Sequence, residues 1–153
     1  MLKCILITTT AILIPTTQTY ANEWTLSTYD NKIMASTDSY AGNINLTFIC
    51  EPQKPILITF TNLKNNNNNK LSNVIKYVDN NDDVRTFEMD GVRKGIAFYE
   101  SNQTVVYEFA KSIIGIKNDN MIVRWDDYMD VINMENYADT MIGFFTLCRS
   151  KNV

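Results

Sequence analysis

Apolar and polar positions alternate along much of the chain. Trp24, Leu26 and Thr28 alternate with polar neighbours, and Ile33 and Ala35 follow a Tyr29-Asp30-Asn31-Lys32 turn, which predicts two short strands. Ile44, Leu46, Phe48 and Cys50 are spaced by two, so they share one face of a strand and carry Cys50 into the core. Pro52 and Pro55 punctuate a connection, after which Pro55 to Phe60 reads as a more fully buried strand. Further strand patterns run from Val74 to Val78, Val84 to Met89, Gly95 to Tyr99, Met121 to Trp125 and Val131 to Met134. The segment from Asn62 to Lys70 holds five consecutive asparagines, Asn65 to Asn69, and reads as a solvated hairpin loop whose sequence is free to vary.

Two segments depart from this period. Val105, Val106, Phe109, Ala110, Ile113 and Ile114 recur at helical spacing, with Gly115 where a helix stop belongs. Near the end, Ala138, Met141, Ile142 and Phe145 recur at i, i+3, i+4 and i+7. Asn136 is placed as their N-cap, and Arg149 and Lys151 sit where the helix dipole favours cations. The elements predict an α+β domain: a mostly antiparallel β-sandwich or barrel with a middle helix and a C-terminal helix.

The first 21 residues are set apart from this fold. Lys3 is a positive n-region, Ile5 to Leu13 an apolar h-region, Pro15 a break, and Thr19-Tyr20-Ala21 a small-residue cleavage site before Asn22. The order is that of a secretory signal peptide; the alternative is a buried N-terminal strand. Too few apolar residues follow one another for a membrane span. The expectation is therefore a signal peptide at 1–21 and a single exported domain at 22–153, periplasmic or secreted. Removing 21 of 153 residues leaves 132, and losing Lys3 moves the formal charge from −3 to −4. Cys4 leaves as well, so the three cysteines become the pair Cys50 and Cys148. An even pair in an oxidising compartment reads as a disulfide tying the last helix to the Cys50 strand; two buried thiols are the alternative.

Composition narrows the chemistry. With 45% hydrophobic residues the chain is too apolar for disorder, and its 14 basic side chains against 17 acidic ones argue against nucleic-acid binding. Histidine is absent, which removes the commonest general base and metal ligand together with every Ser–His or Cys–His nucleophile. No cofactor and no metal site is expected. The densest carboxylates are Asp126, Asp127 and Asp130, with Glu135 nearby. The first three, with Tyr128, form the candidate partner-binding loop, beside the plainer reading of a solvated hairpin tip. They lack the glycine and alternate ligands of an EF-hand-type calcium loop. Asp79, Asp82 and Asp83 fit a turn built on Asx hydrogen bonds. Asn45 and Asn102 head glycosylation sequons, and the numerous tyrosines suit strand faces or recognition surfaces.

Several of these segments together resemble a known group. They are Trp24 near the mature terminus, the Leu-x-Phe-x-Cys strand ending at Cys50, Ile75-Lys76-Tyr77-Val78-Asp79, Met121-Ile122-Val123-Arg124, and a last helix running into Cys148. The pattern, covering most of residues 23–148, resembles small exported bacterial proteins of the type VI secretion-associated VasI-like family. Where those members favour a Phe-x-x-x-Gly step, this chain has Met134-Glu135-Asn136-Tyr137-Ala138. The resemblance implies an envelope accessory protein and carries over no catalytic residue.

The functional expectation is an exported, non-enzymatic binding or accessory protein of the cell envelope whose partner is another envelope or secreted protein. The alternatives are an inhibitor of a lysozyme-type wall-degrading enzyme or a protease, and a secreted hydrolase working through Asp or Glu. The intact mass of the exported protein is expected to match a chain beginning at Asn22 and two hydrogens lighter than its dithiol form. A mass retaining Met1 overturns the signal reading, and a dithiol mass overturns the pairing.

Overall fold

The computed structural model describes residues 23–63, 72–93 and 97–151. The segment read as an export signal, nearly all of the asparagine-rich loop and the start of the strand expected from Gly95 lie outside the described residues. Ten strands form two wholly antiparallel sheets. The first sheet contains β1 (Thr25–Tyr29), β2 (Lys32–Asp38), β3 (Ile44–Cys50), β4 (Leu57–Asn62), β7 (Gly91–Arg93) and β8 (Ala97–Glu100), in the order β1-β2-β3-β4-β8-β7. The second contains β5 (Val74–Val78), β6 (Val84–Glu88), β9 (Asn120–Trp125) and β10 (Tyr128–Asn133), in the order β10-β9-β5-β6. Helix α1 spans Gln103–Ser112 and helix α2 spans Tyr137–Lys151. The two sheets are separate and open at their edges, so the architecture is a sandwich and the barrel alternative falls away.

Local chemistry explains how the strands turn. Asp30 and Asn31 join β1 to β2 with φ values of +47° and +62°, the left-handed backbone of a two-residue type I′ hairpin. Asp and Asn are among the few side chains that tolerate it. Gly91 begins a strand that the sequence pattern missed. A Cβ there would fall 2.7 Å from the Tyr99 ring across the ladder, so the position has room only for glycine.

Register places every core side chain. On the first sheet, Ile33 faces Cys50, Ala35 faces Phe48, Leu46 faces Phe60 and Phe60 faces Phe98. On the second, Ile75 faces Phe87 and Met121 faces Ile132. The two inner layers meet through aromatic rings: Phe60 lies 5.9 Å from Phe87, and Phe98 lies 5.3 Å from Trp125. Helix α1 drives Phe109 between them, with ring centroids 6.3 Å from Phe48, 5.8 Å from Phe60, 5.0 Å from Tyr77 and 4.6 Å from Phe87. Polar bonds hold that wedge. Asn102 caps α1 by accepting from the Thr104 and Val105 amides, and Gln103 bonds both the amide and the carbonyl of Ile56.

Helix α2 packs on β1 and β2, but its buried face differs from the expected one. Tyr137, Met141, Phe144 and Cys148 face inward, whereas Ala138 and Ile142 are exposed and Phe145 is only partly buried. The helix is turned so that two of its three aromatic rings reach Trp24 and Phe48, at 4.8 Å for Tyr137–Trp24 and 6.2 Å for Phe144–Phe48. Asn136, expected as the N-cap of α2, stands at that position and its carbonyl accepts from the Thr140 amide at 3.1 Å, but its side chain pairs with the backbone of Trp24, accepting from its amide at 3.0 Å and donating to its carbonyl at 2.9 Å. Trp24 is thereby fixed just ahead of β1, and its indole donates to the Asn133 carbonyl at 2.9 Å. Cys50 and Cys148 are both buried and near each other, and no disulfide is shown between them. Among the described residues, no helix is long and apolar enough to cross a membrane.

Phe109→Ala is expected to cost about 3–5 kcal/mol in urea unfolding, because the cavity opens between two sheets that cannot both collapse into it. Phe109→Leu is expected to cost clearly less. A loss below about 1 kcal/mol for the alanine variant contradicts the wedge role.

Candidate functional site

The carboxylates grouped by the sequence are separated by the fold. Trp125 pairs with Tyr128, so Asp126 and Asp127 form the tip of the β9–β10 hairpin. Asp126 adopts φ +53°, and its carboxylate accepts from the Ser72 amide at 2.8 Å. The Trp125 indole donates to the carbonyl of the same Ser72 at 2.8 Å. The tip is thus stitched to the chain that enters β5. Asp127 is exposed, and Tyr128 is half-buried against the core.

Asp130 does not belong to that tip. Its side chain points inward from β10, is 5% exposed, and holds the β2–β3 connection. It accepts from the Ser39 hydroxyl at 2.6 Å, the Ala41 amide at 3.1 Å and the Asn43 side-chain amide at 3.0 Å. The Val131 amide, at 2.8 Å, completes the cradle. Burial acts to raise the Asp130 pKa, but the Ser39 hydroxyl and the Ala41, Val131 and Asn43 amides outweigh it and hold the carboxyl below its ordinary value. Of the candidate partner-binding carboxylates, then, Asp130 is closed off, Asp126 is exposed with one oxygen on the Ser72 amide, and Asp127 is exposed at the tip.

A second buried carboxylate, Asp79, organises the β5–β6 turn. It accepts from the Asn81 and Asp83 amides at 2.8 and 3.0 Å and from Arg85 Nε at 2.7 Å. The Arg85 guanidinium, helped by those two amides against the effect of burial, holds the carboxyl below its usual range. The turn borders a pocket of about 460 Å³ lined in part by Tyr77, Arg85, Glu108 and Ser112. The Tyr77 and Ser112 hydroxyls lie 2.8 Å apart, and Ser112 donates to the Phe109 carbonyl. Burial pushes the Tyr77 phenol up despite the Ser112 bond. These groups tie α1 to β5, and Ser112 has no carboxylate or amine base bonded to it. Among the described residues, no three Cys, Asp or Glu side chains converge as a metal site.

The surface features missed by periodicity lie on the outer face of the four-stranded sheet. Ile122 faces Val131 and Arg124 faces Met129 across β9–β10, and Lys76 faces Arg124 across β5–β9. Met129 is 71% exposed and Ile122 45%. A groove of about 770 Å³ opens beside them, its lining including Tyr40, Val78, Ile116, Ile122 and Val131. The Asp82–Lys117 ion pair stands on its rim. Tyr40 is seated there by its amide, which donates to the Val131 carbonyl at 2.8 Å. The pairing of β5 with β9 creates this patch, and strand patterns read singly give no signal of it.

Both sequons carry structural duties. The Asn45 amide nitrogen donates to the Thr37 carbonyl and the Asp38 carboxylate, and Asn102 is the α1 cap. The tyrosines divide: Tyr77 and Tyr137 are buried, whereas Tyr29, Tyr40 and Tyr107 are exposed. Comparison of the chain with family models, curated proteins and solved structures found no match in any of the three.

Asp130→Ala is expected to cost about 2–3 kcal/mol at pH 7, because it leaves a hydroxyl and several amides of the β2–β3 connection without their charged acceptor. The wild-type contribution is complete above the unfolded carboxylate pKa, about 4, and is lost as pH falls through the depressed folded value. Denaturant titrations from pH 7 to pH 2 are expected to show an acid limb that Asp130→Asn flattens. An unchanged limb contradicts the assignment.

Proposed function

We propose that this chain is an exported, non-enzymatic binding protein that acts by protein–protein contact in the periplasm or outside the cell. The observation carrying this reading is the outer face of the four-stranded sheet, where Met129, Ile122 and the 71%-exposed Val84 stand uncovered beside a groove. Large exposed apolar side chains gathered on one face favour a partner over water. Two of the buried carboxylates, Asp79 and Asp130, are saturated with donors and held ionised, which suits anchors of turns better than proton donors near neutral pH. The resemblance to VasI-like proteins agrees with an envelope accessory role.

The proposal includes a Cys50–Cys148 disulfide, supported by the burial and closeness of the two cysteines and by the export pattern. Closing a loop of roughly 100 residues would stabilise the domain by up to about 4–5 kcal/mol in the chain-entropy account. It would tie α2 to the centre of the first sheet. An inhibitor of a wall-degrading enzyme or a protease is the second reading, favoured by the stitched β9–β10 tip that presents Asp127. A rigid tip enters a cleft with little ordering cost.

Cross-linked capture from envelope extract separates the two readings. A partner captured by wild type is expected to be lost with Met129→Gln and kept with Asp127→Lys if the sheet face binds. The reverse pattern favours the tip. Turnover of cell-wall or ester substrates by the purified domain overturns both.

A further inference from the structure

Lys76 and Arg124 stand directly opposite each other on β5 and β9, both exposed on the outer face. Like charges in that position destabilise a sheet unless something else uses them. Neither makes an ion pair with a described carboxylate. Arg124 Nε donates to the Asp126 main-chain carbonyl at 3.2 Å, and Asp126 spends its carboxylate on the Ser72 amide. Glu88, on β6, is the carboxylate of this face and lies diagonal to Lys76, opposite Val74. Met129 is the cross-strand neighbour of Arg124, and Ile122 sits one inward–outward repeat along β9. Two cations thus adjoin the apolar strip and groove in a chain whose overall formal charge is −3.

We propose that this face docks an acidic polypeptide segment, its apolar side chains on Ile122, Met129 and the groove and its carboxylates on Lys76 and Arg124. The assignment rests on the binding reading above and adds the chemistry of the partner. Charge complementarity selects an acidic partner, since an acidic segment relieves the opposed cations. An anionic bilayer fits less well, because the groove beside the two cations is concave and a bilayer surface cannot enter it.

The test is amide-resolved NMR titration of the full chain with three synthetic peptides that alternate leucine with glutamate, glutamine or lysine. Phosphatidylglycerol vesicles form a further arm. The glutamate peptide is expected to bind tightest, shifting the amides of Lys76, Ile122, Arg124 and Met129, and to weaken as salt is raised. Lys76→Glu with Arg124→Glu is expected to weaken it about tenfold or more at low salt and to transfer preference to the lysine peptide. Lys76→Ala with Arg124→Ala, a gentler change, is expected to remove the charge preference without that transfer. Equal binding of all three peptides, shifts confined to another face, no binding of the glutamate peptide, or binding to vesicles alone each overturns the acidic-partner assignment. The envelope capture with the uncharged variant Met129→Gln decides the underlying binding reading independently, because it presumes no partner charge.

Discussion

The aromatic contact between the two sheets is the constraint on which the rest of this structure depends. No strand ladder joins the two open sheets, so their association rests chiefly on apolar side chains removed from water and closely packed. Phe109 contributes to that contact from α1 and touches rings of both sheets. Its position is set by polar bonds at the helix start, where Asn102 caps the first turn and Gln103 grips Ile56. The Tyr137 hydroxyl then donates to the Ala110 carbonyl at 3.0 Å and joins α2 to α1. Burial pushes that phenol well above its ordinary value. Displacing Phe109 therefore disturbs both helices and the sheet interface at once.

Strands and helices were legible in the sequence wherever one residue's environment is set by its own element. Alternation located most strands because one face of each is buried, and it placed Cys50 inward correctly. It failed where tertiary contact chooses among nearly equal local options. Helix α2 carries apolar residues around much of its circumference, so two faces compete. The choice of Tyr137 and Phe144 over Ala138 and Ile142 is made by Trp24 and Phe48, residues roughly a hundred positions away. Asn136 likewise satisfies the backbone of Trp24 across the molecule, an arrangement for which capping statistics give no hint.

The candidate site shows the same division more sharply. Asp126, Asp127 and Asp130 look like one acidic cluster because they are close in sequence. Strand alternation sends Asp130 to the inner face, where the β2–β3 connection supplies its donors. The opposed pair Lys76 and Arg124 is invisible for the converse reason: its members are far apart in the chain and meet only through the β5–β9 register.

That register also bears on why the outer face carries charge at all. Lysines and arginines commonly guard the edges of sheets, where open backbone groups invite pairing with another chain. Here β6 and β10 are the edges, and the two cations sit on the central strands β5 and β9. Edge protection accordingly does not account for them. Solubility does not require them either, since the chain already carries a net negative charge. The inner carboxylates are committed to holding turns, and the inner rings to holding the sheets together. The cation pair beside Met129 and Ile122 serves neither purpose, and the recognition proposed above uses both its charge and its place.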